Sequence, residues 1–141
     1  MESPLVTVYI VNHNYGRYLK QAIESAINQN YDSFEIVIID DGSSDNSESI
    51  LKHYEVYNKI KVVRQNNKGL NVSNNIALKI SNGKYIMRLD ADDYLECNAL
   101  KYLTKSLEID PDLALVFPDY YEVDDLGNVI KIVQRNNFQK E

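Results

Sequence analysis

The sequence predicts an α/β fold, a mainly parallel sheet with helices on both faces followed by a C-terminal antiparallel hairpin. Three observations predict it. Short β-branched runs alternate four times with stretches whose apolar residues recur at helical spacing. The connections between them suit only right-handed crossovers, which makes neighbouring strands parallel. Polar, acid-rich loops fall where the strands run out, the end at which such sheets hold ligands.

The elements follow in order. Residues 5–11, L-V-T-V-Y-I-V, are β-branched and aromatic almost throughout, as a strand covered on both faces requires. Asn12, His13, Asn14, Tyr15 and Gly16 end it. Leu19, Ala22, Ile23, Ala26 and Ile27 form one apolar stripe, predicting a helix over 18–28. A second strand spans 34–39 and closes in Asp40-Asp41-Gly42-Ser43-Ser44. Asp45 with Glu48 three residues later predicts a capping box and a helix over 45–57. Residues 60–64 are the third strand and 65–69 a polar loop. Leu70, Ser73, Ala77 and Ile80 outline a helix that Asn82-Gly83 ends.

Residues 85–89 give a fourth strand, followed at once by Asp90, Asp92 and Asp93. Leu100, Leu103 and Leu107 predict a helix over 98–108, stopped at Asp110-Pro111. A fifth strand is expected at 113–117. Strands at 120–123 and 129–133 flank an Asp-, Gly- and Asn-rich turn, a hairpin signal. The expectation is a single domain over 1–133 and a polar tail over 134–141.

Composition narrows the function. The 141 residues are 44% hydrophobic and 26% charged, enough for one cored domain and unlike a disordered chain. A formal charge of −6 argues against a nucleic-acid partner, which calls for a basic face. The single cysteine, Cys97, excludes an internal disulfide and a cysteine-based zinc site. No apolar run approaches a membrane span and the first residues lack a signal core, so the expected compartment is cytoplasmic.

The acids after the fourth strand carry the chemistry. Two like charges about 4 Å apart repel by roughly 4 kcal/mol at an effective dielectric of 20, so such a cluster calls for a shifted pKa or a bound cation. Oxygen ligands without Cys or His favour Mg²⁺ or Mn²⁺, and such an ion favours a phosphorylated ligand that completes its shell. The five glycines form neither a dinucleotide-binding nor a P-loop pattern. An EF-hand beginning at Asp90 fails, because Leu95 and Lys101 stand where Gly and Glu are needed. An aspartyl phosphatase or phosphoacceptor domain would place its acids on the first strand, where Asn12-His13 stands.

Residues 6–47, from V-T-V-Y-I-V-N-H-N through V-I-I-D-D-G-S-S-D-N-S, and residues 82–93, N-G-K-Y-I-M-R-L-D-A-D-D, resemble the nucleotide-binding half of family 2 glycosyltransferases of GT-A fold. The resemblance implies a nucleotide-diphosphate-sugar donor, with UDP the expected nucleotide, a divalent metal (Mg²⁺ or Mn²⁺) at an Asp-x-Asp motif, and transfer with inversion to a glycan or lipid-linked acceptor. Residue by residue, it implies that Asp41 contacts the base and that Val11, Asn12, His13 and Asn14 frame it. Lys68 becomes a nucleotide contact. Asp90 and Ala91 lie near the ribose, and Asp90 and Asp92 hold the metal.

Three departures stand out. His13 replaces the family's common tyrosine, and an imidazole can still stack on a base. Ser73-Asn74-Asn75 lacks the arginine of the family's Ala-Arg-Asn run. Family members usually continue into an acceptor-binding half that supplies the general base. Among the acids present here, Asp93 and Asp119 are the candidates for that base. Two partner arrangements stay open, self-association and peripheral attachment at the inner face of a membrane. So does the alternative of an inactive nucleotide-sugar-binding module.

Overall fold

The computed structural model describes residues 3–135. By its internal contacts the chain divides between Lys101 and Tyr102 into two compact units. The first holds a four-stranded sheet of β1 (Val6–Asn12), β2 (Phe34–Asp41), β3 (Ile60–Gln65) and β4 (Tyr85–Asp90) in the order β3-β2-β1-β4. Every pairing is parallel. Helices α1 (Gly16–Ile27), α2 (Ser47–Tyr54) and α3 (Leu70–Ile80) make the crossovers. The parallel sheet is as expected, with each strand boundary within one or two residues of its prediction.

The period of two along the strands sorts the core. Val6, Val8 and Ile10 of β1 and Ile36 and Ile38 of β2 meet Leu19, Ala22 and Ile23 of α1 and Leu51 of α2 on one face. Tyr9, Val37 and Ile39 meet Ala77 of α3 on the other. The two central strands are thus apolar on both faces, which is why they read as continuous hydrophobic runs. Because α3 packs on β2 and β1, the same face of β4 stays open, and Ile86 there is 44% exposed. Gly83, just before β4, lies so close to β1 that an added Cβ would stand 2.5 Å from the Thr7 nitrogen.

The capping box is corrected. Helix α2 begins at Ser47 and has no side-chain cap bond. The Asp45 carboxylate instead accepts from the Ser47 amide at 3.0 Å and from the Gly16 amide at 2.8 Å, tying the starts of α1 and α2 together. Glu48 turns outward to Arg64 of β3 at 2.7 Å, and Arg64 also reaches Glu55. A guanidinium two carboxylates can share outcompetes a backbone amide for Glu48.

Helix α4 (Ala99–Ile109) crosses the boundary between the units. The second unit then carries β5 (Tyr120–Val123) and β6 (Val129–Val133), paired antiparallel. The Asp124 carboxylate accepts from the Leu126 and Asn128 amides and closes the hairpin turn. The strand expected at 113–117 is not formed. Its residues run without a ladder, and Leu115 and Phe117 are each 65% exposed. Apolar alternation supplies a strand's side chains, but its amides need an adjoining edge, and none of the described residues provides one. Of the expected tail, residues 136–141 lie outside the described residues.

Candidate functional site

The chain runs outward from β1 to β2 to β3 and then returns to the far side of β1 as β4, so strand order reverses between β1 and β4. Val11 pairs with Asp90, Asn12 with Asp40, and Asp41 with Gln65. The carboxyl ends therefore form a row, and two strand spacings put Asp90 about 10 Å from Asp40. Asp41 and the acidic motif share one rim, on opposite sides of β1.

The loops after β1 and β2 are bonded into a single body. Asn12 is fully buried and its Nδ2 donates to Asp40 Oδ1 at 2.8 Å and to the Ser43 hydroxyl at 3.0 Å, while its Oδ1 has no partner among the described residues. The Ser43 hydroxyl donates to the same Asp40 oxygen at 2.6 Å. His13 is exposed and its Nδ1 lies 2.8 Å from the Asp41 carbonyl, which can only accept, so Nδ1 carries the proton. Its Nε2 lies 3.3 Å from the amide nitrogens of Asn14 and Asn67. Asn14 is oriented by the Ser44 amide, which donates to its Oδ1 at 2.7 Å. The nitrogen of Asn14 therefore faces Nε2 of His13.

Asp41 is 3% exposed. Its Oδ1 accepts from Gln65 Nε2 at 2.7 Å and the Lys68 amide at 2.8 Å, and its Oδ2 from the Gly69 amide at 2.8 Å. Burial pushes this carboxyl up, but the bonds from Lys68, Gln65 and Gly69 reverse that and hold it below the usual range. Lys68 thus meets Asp41 through its backbone, and its side chain is exposed. Gly42, at φ +76°, lets the loops close, since a Cβ there would stand 2.7 Å from the Asn67 nitrogen.

The loop after β4 is open. Asp90, Asp92 and Asp93 are exposed and Ala91 is buried at 3%. Partial desolvation, then the charges of Asp92 and Asp90, push the Asp93 carboxyl above its ordinary range. Arg88 contacts Asp90 Oδ1 through Nε at 2.8 Å and through a second nitrogen at 2.5 Å. An exposed pair of this kind is worth about 0–1 kcal/mol. The described residues contain no group of three or more His, Cys, Asp or Glu arranged to hold a metal. Asp90 and Asp92 nevertheless fit a Mg²⁺-type ion, which takes one or two carboxylates and completes its shell from phosphate and water.

The structure therefore gathers Val11, Asn12, His13, Asn14, Asp41, Lys68, Asp90, Ala91 and Asp92 on one rim. Asp119 lies in the other unit, where its carboxylate accepts from the Arg135 amide at 2.7 Å. Sequence reasoning missed Arg88, Ser43 and Asn67. Arg88 had a signal, for residues two apart on a strand share a face and Arg88 stands two before Asp90. Asn67 had none, because its partner His13 is 54 residues away.

A family model described as Glycosyl transferase family 2 matches residues 7–140. Chondroitin synthase of Escherichia coli is 37% identical over 90% of this chain, which spans 19% of that protein. An uncharacterised glycosyltransferase of Methanocaldococcus jannaschii is 36% identical over 93% of the chain, which spans 47% of it. The crystal structure of S. aureus TarS 1-349 in complex with UDP-GlcNAc superposes with a TM-score of 0.69 at 27% identity, over 74% of this chain and 31% of that one. The chain spans less than half the length of each.

Proposed function

The chain belongs to glycosyl transferase family 2, and from that premise we propose that it holds a nucleoside-diphosphate sugar, UDP-linked, for transfer with inversion to a glycan or lipid-linked hydroxyl. The observation that carries the reading is the convergence, at the β1/β4 strand reversal, of Asp90 and Asp92 with the Asn12–Asn14 and Asp41 loops. Likeness to a TarS structure bound to UDP-GlcNAc supports UDP as the nucleotide.

In this reading Asp90 and Asp92 hold a divalent ion, and that ion, when bound, supplies Lewis-acid stabilisation of the departing diphosphate. Asp41 acts from beneath, fixing loop 65–69 as one wall of the nucleoside pocket through the Lys68 and Gly69 amides. His13 offers a ring of defined tautomer on the same rim for stacking. Asp93, whose carboxyl is raised above its ordinary range by partial burial and by the charges of Asp92 and Asp90, is the acid of the motif best suited to exchange a proton near the reacting centre.

Calorimetry with UDP tests the reading. Binding is expected with Mn²⁺, lost in EDTA, and weakened at least tenfold in Asp92→Asn. UDP binding that ignores both EDTA and Asp92→Asn would falsify the metal site. A second reading, a donor-binding unit that acts with a partner, is favoured by the acids of the second unit. Asp119 bonds the Arg135 amide, Asp124 holds its turn and Glu122 pairs with Lys131. Sugar transfer from a donor panel by the chain alone rejects this second reading; binding without transfer supports it.

A further inference from the structure

Among the described residues, Arg88 alone is ion-paired to a carboxylate of the acidic motif. Both of its contacting nitrogens reach the same oxygen, Asp90 Oδ1, and Asp90 Oδ2 takes no partner among those residues. The pair exists because positions 88 and 90 share a face of β4, the face that α3 leaves open. Across the ladder Arg88 is in register with Tyr9, which is 7% exposed and packed in the core with Ala77 of α3, so the backbone that carries the pair is anchored. Both side chains of the pair remain well exposed, at 41% and 49%, so they can change partners without disturbing the sheet.

We infer that Arg88 is the resident counter-cation of Asp90, which yields that carboxylate to a divalent ion only when a diphosphate arrives with the ion, and which then takes the diphosphate as its new partner. The inference rests on the donor-site reading above and adds an order of loading to it. A free ion has to displace the guanidinium from Oδ1 and then sits beside an uncompensated positive charge. An ion chelated by a diphosphate has its charge neutralised and presents phosphate oxygens to the guanidinium. The planar fork of Arg88 can move from one carboxylate oxygen to phosphate oxygens with its hydrogen bonds kept. Ion and nucleotide therefore load together. A lysine at 88 would keep the charge and lose the fork.

The test is calorimetry on the full chain, with MnCl₂ alone and with UDP at saturating Mn²⁺, comparing wild type, Arg88→Gln and Arg88→Lys. Arg88→Gln is expected to bind Mn²⁺ alone roughly three- to tenfold more tightly and Mn²⁺-UDP roughly tenfold more weakly. Arg88→Lys should stay within about twofold of wild type for Mn²⁺ alone and lose about threefold for Mn²⁺-UDP. If Arg88→Gln does not fold, Arg88→Lys decides alone, and tighter Mn²⁺ binding by it overturns the inference. Arg88→Gln that binds Mn²⁺ no tighter than wild type, or that keeps its Mn²⁺-UDP affinity, also overturns it. Wild type that fails to bind Mn²⁺-UDP removes the donor-site reading itself. A normal wild-type response with unchanged variants removes the role of Arg88 alone.

Discussion

Three donors converge on one buried carboxylate at Asp41, and two of them are backbone amides of the neighbouring loop. Removing the acceptor strands the part-buried Lys68 and Gly69 amides and leaves Gln65 Nε2 with the Ser73 hydroxyl alone. Asp41→Ala is expected to lower stability by about 2–4 kcal/mol in urea unfolding, since each stranded buried donor costs about 1–3 kcal/mol and the losses overlap. The carboxyl sits below its ordinary range when folded, so the stability it adds is complete above its unfolded value of about 4 and is lost as pH falls through the folded value. The melting temperatures of wild type and Asp41→Asn should therefore differ most above about pH 5 and converge in acid. A gap that widens toward low pH contradicts these bonds to Asp41. The sequence placed Asp41 at a strand end and at a ligand. It could not reveal its bonds, because the donors lie 24 to 28 residues further along the chain.

Among the elements, the sheet was legible because its central strands are apolar on both faces and each ends in a polar loop. What periodicity cannot report is a partner. Residues 113–117 have a strand's side chains and no ladder, and the Asp45/Glu48 spacing has a box's letters while each acid bonds elsewhere. That second case gives an element-scale prediction. Asp45 serves the first amides of two helices at once, so Asp45→Ala should cost about 1–2 kcal/mol, as loss of a good cap does. Glu48→Gln should cost less than about 1 kcal/mol, because Glu48 acts only in exposed pairs. Chemical denaturation that ranks Glu48→Gln as the more damaging change would restore the capping box. Gly42→Ala should be worse than either, since it forces φ +76° on a residue with a Cβ and pushes that atom into the Asn67 backbone.

For the whole molecule, every residue assigned to the donor site lies before Lys101, and the second unit contributes none of them. The first unit has its own sheet, two buried clusters and the complete row of carboxyl strand ends. Helix α4 contributes to it through Leu100, which is 1% exposed and whose amide donates to Gln29 at 3.0 Å, so a sound truncation keeps that helix. A chain ending at Asp110 is expected to fold and to bind Mn²⁺-UDP within about threefold of the full chain. Bound ligand at 100 times its Kd should add about 2.7 kcal/mol to the stability of both forms, which a thermal melt reads as an upward shift of several degrees. The full chain should show the same shift, because residues 111–135 supply no contact that the reading assigns to the donor. A truncated chain that folds yet loses tenfold or more in affinity would show that the hairpin unit completes the pocket. The single domain expected over residues 1–133 would then be the functional unit, whereas an unchanged affinity assigns donor binding to the first unit.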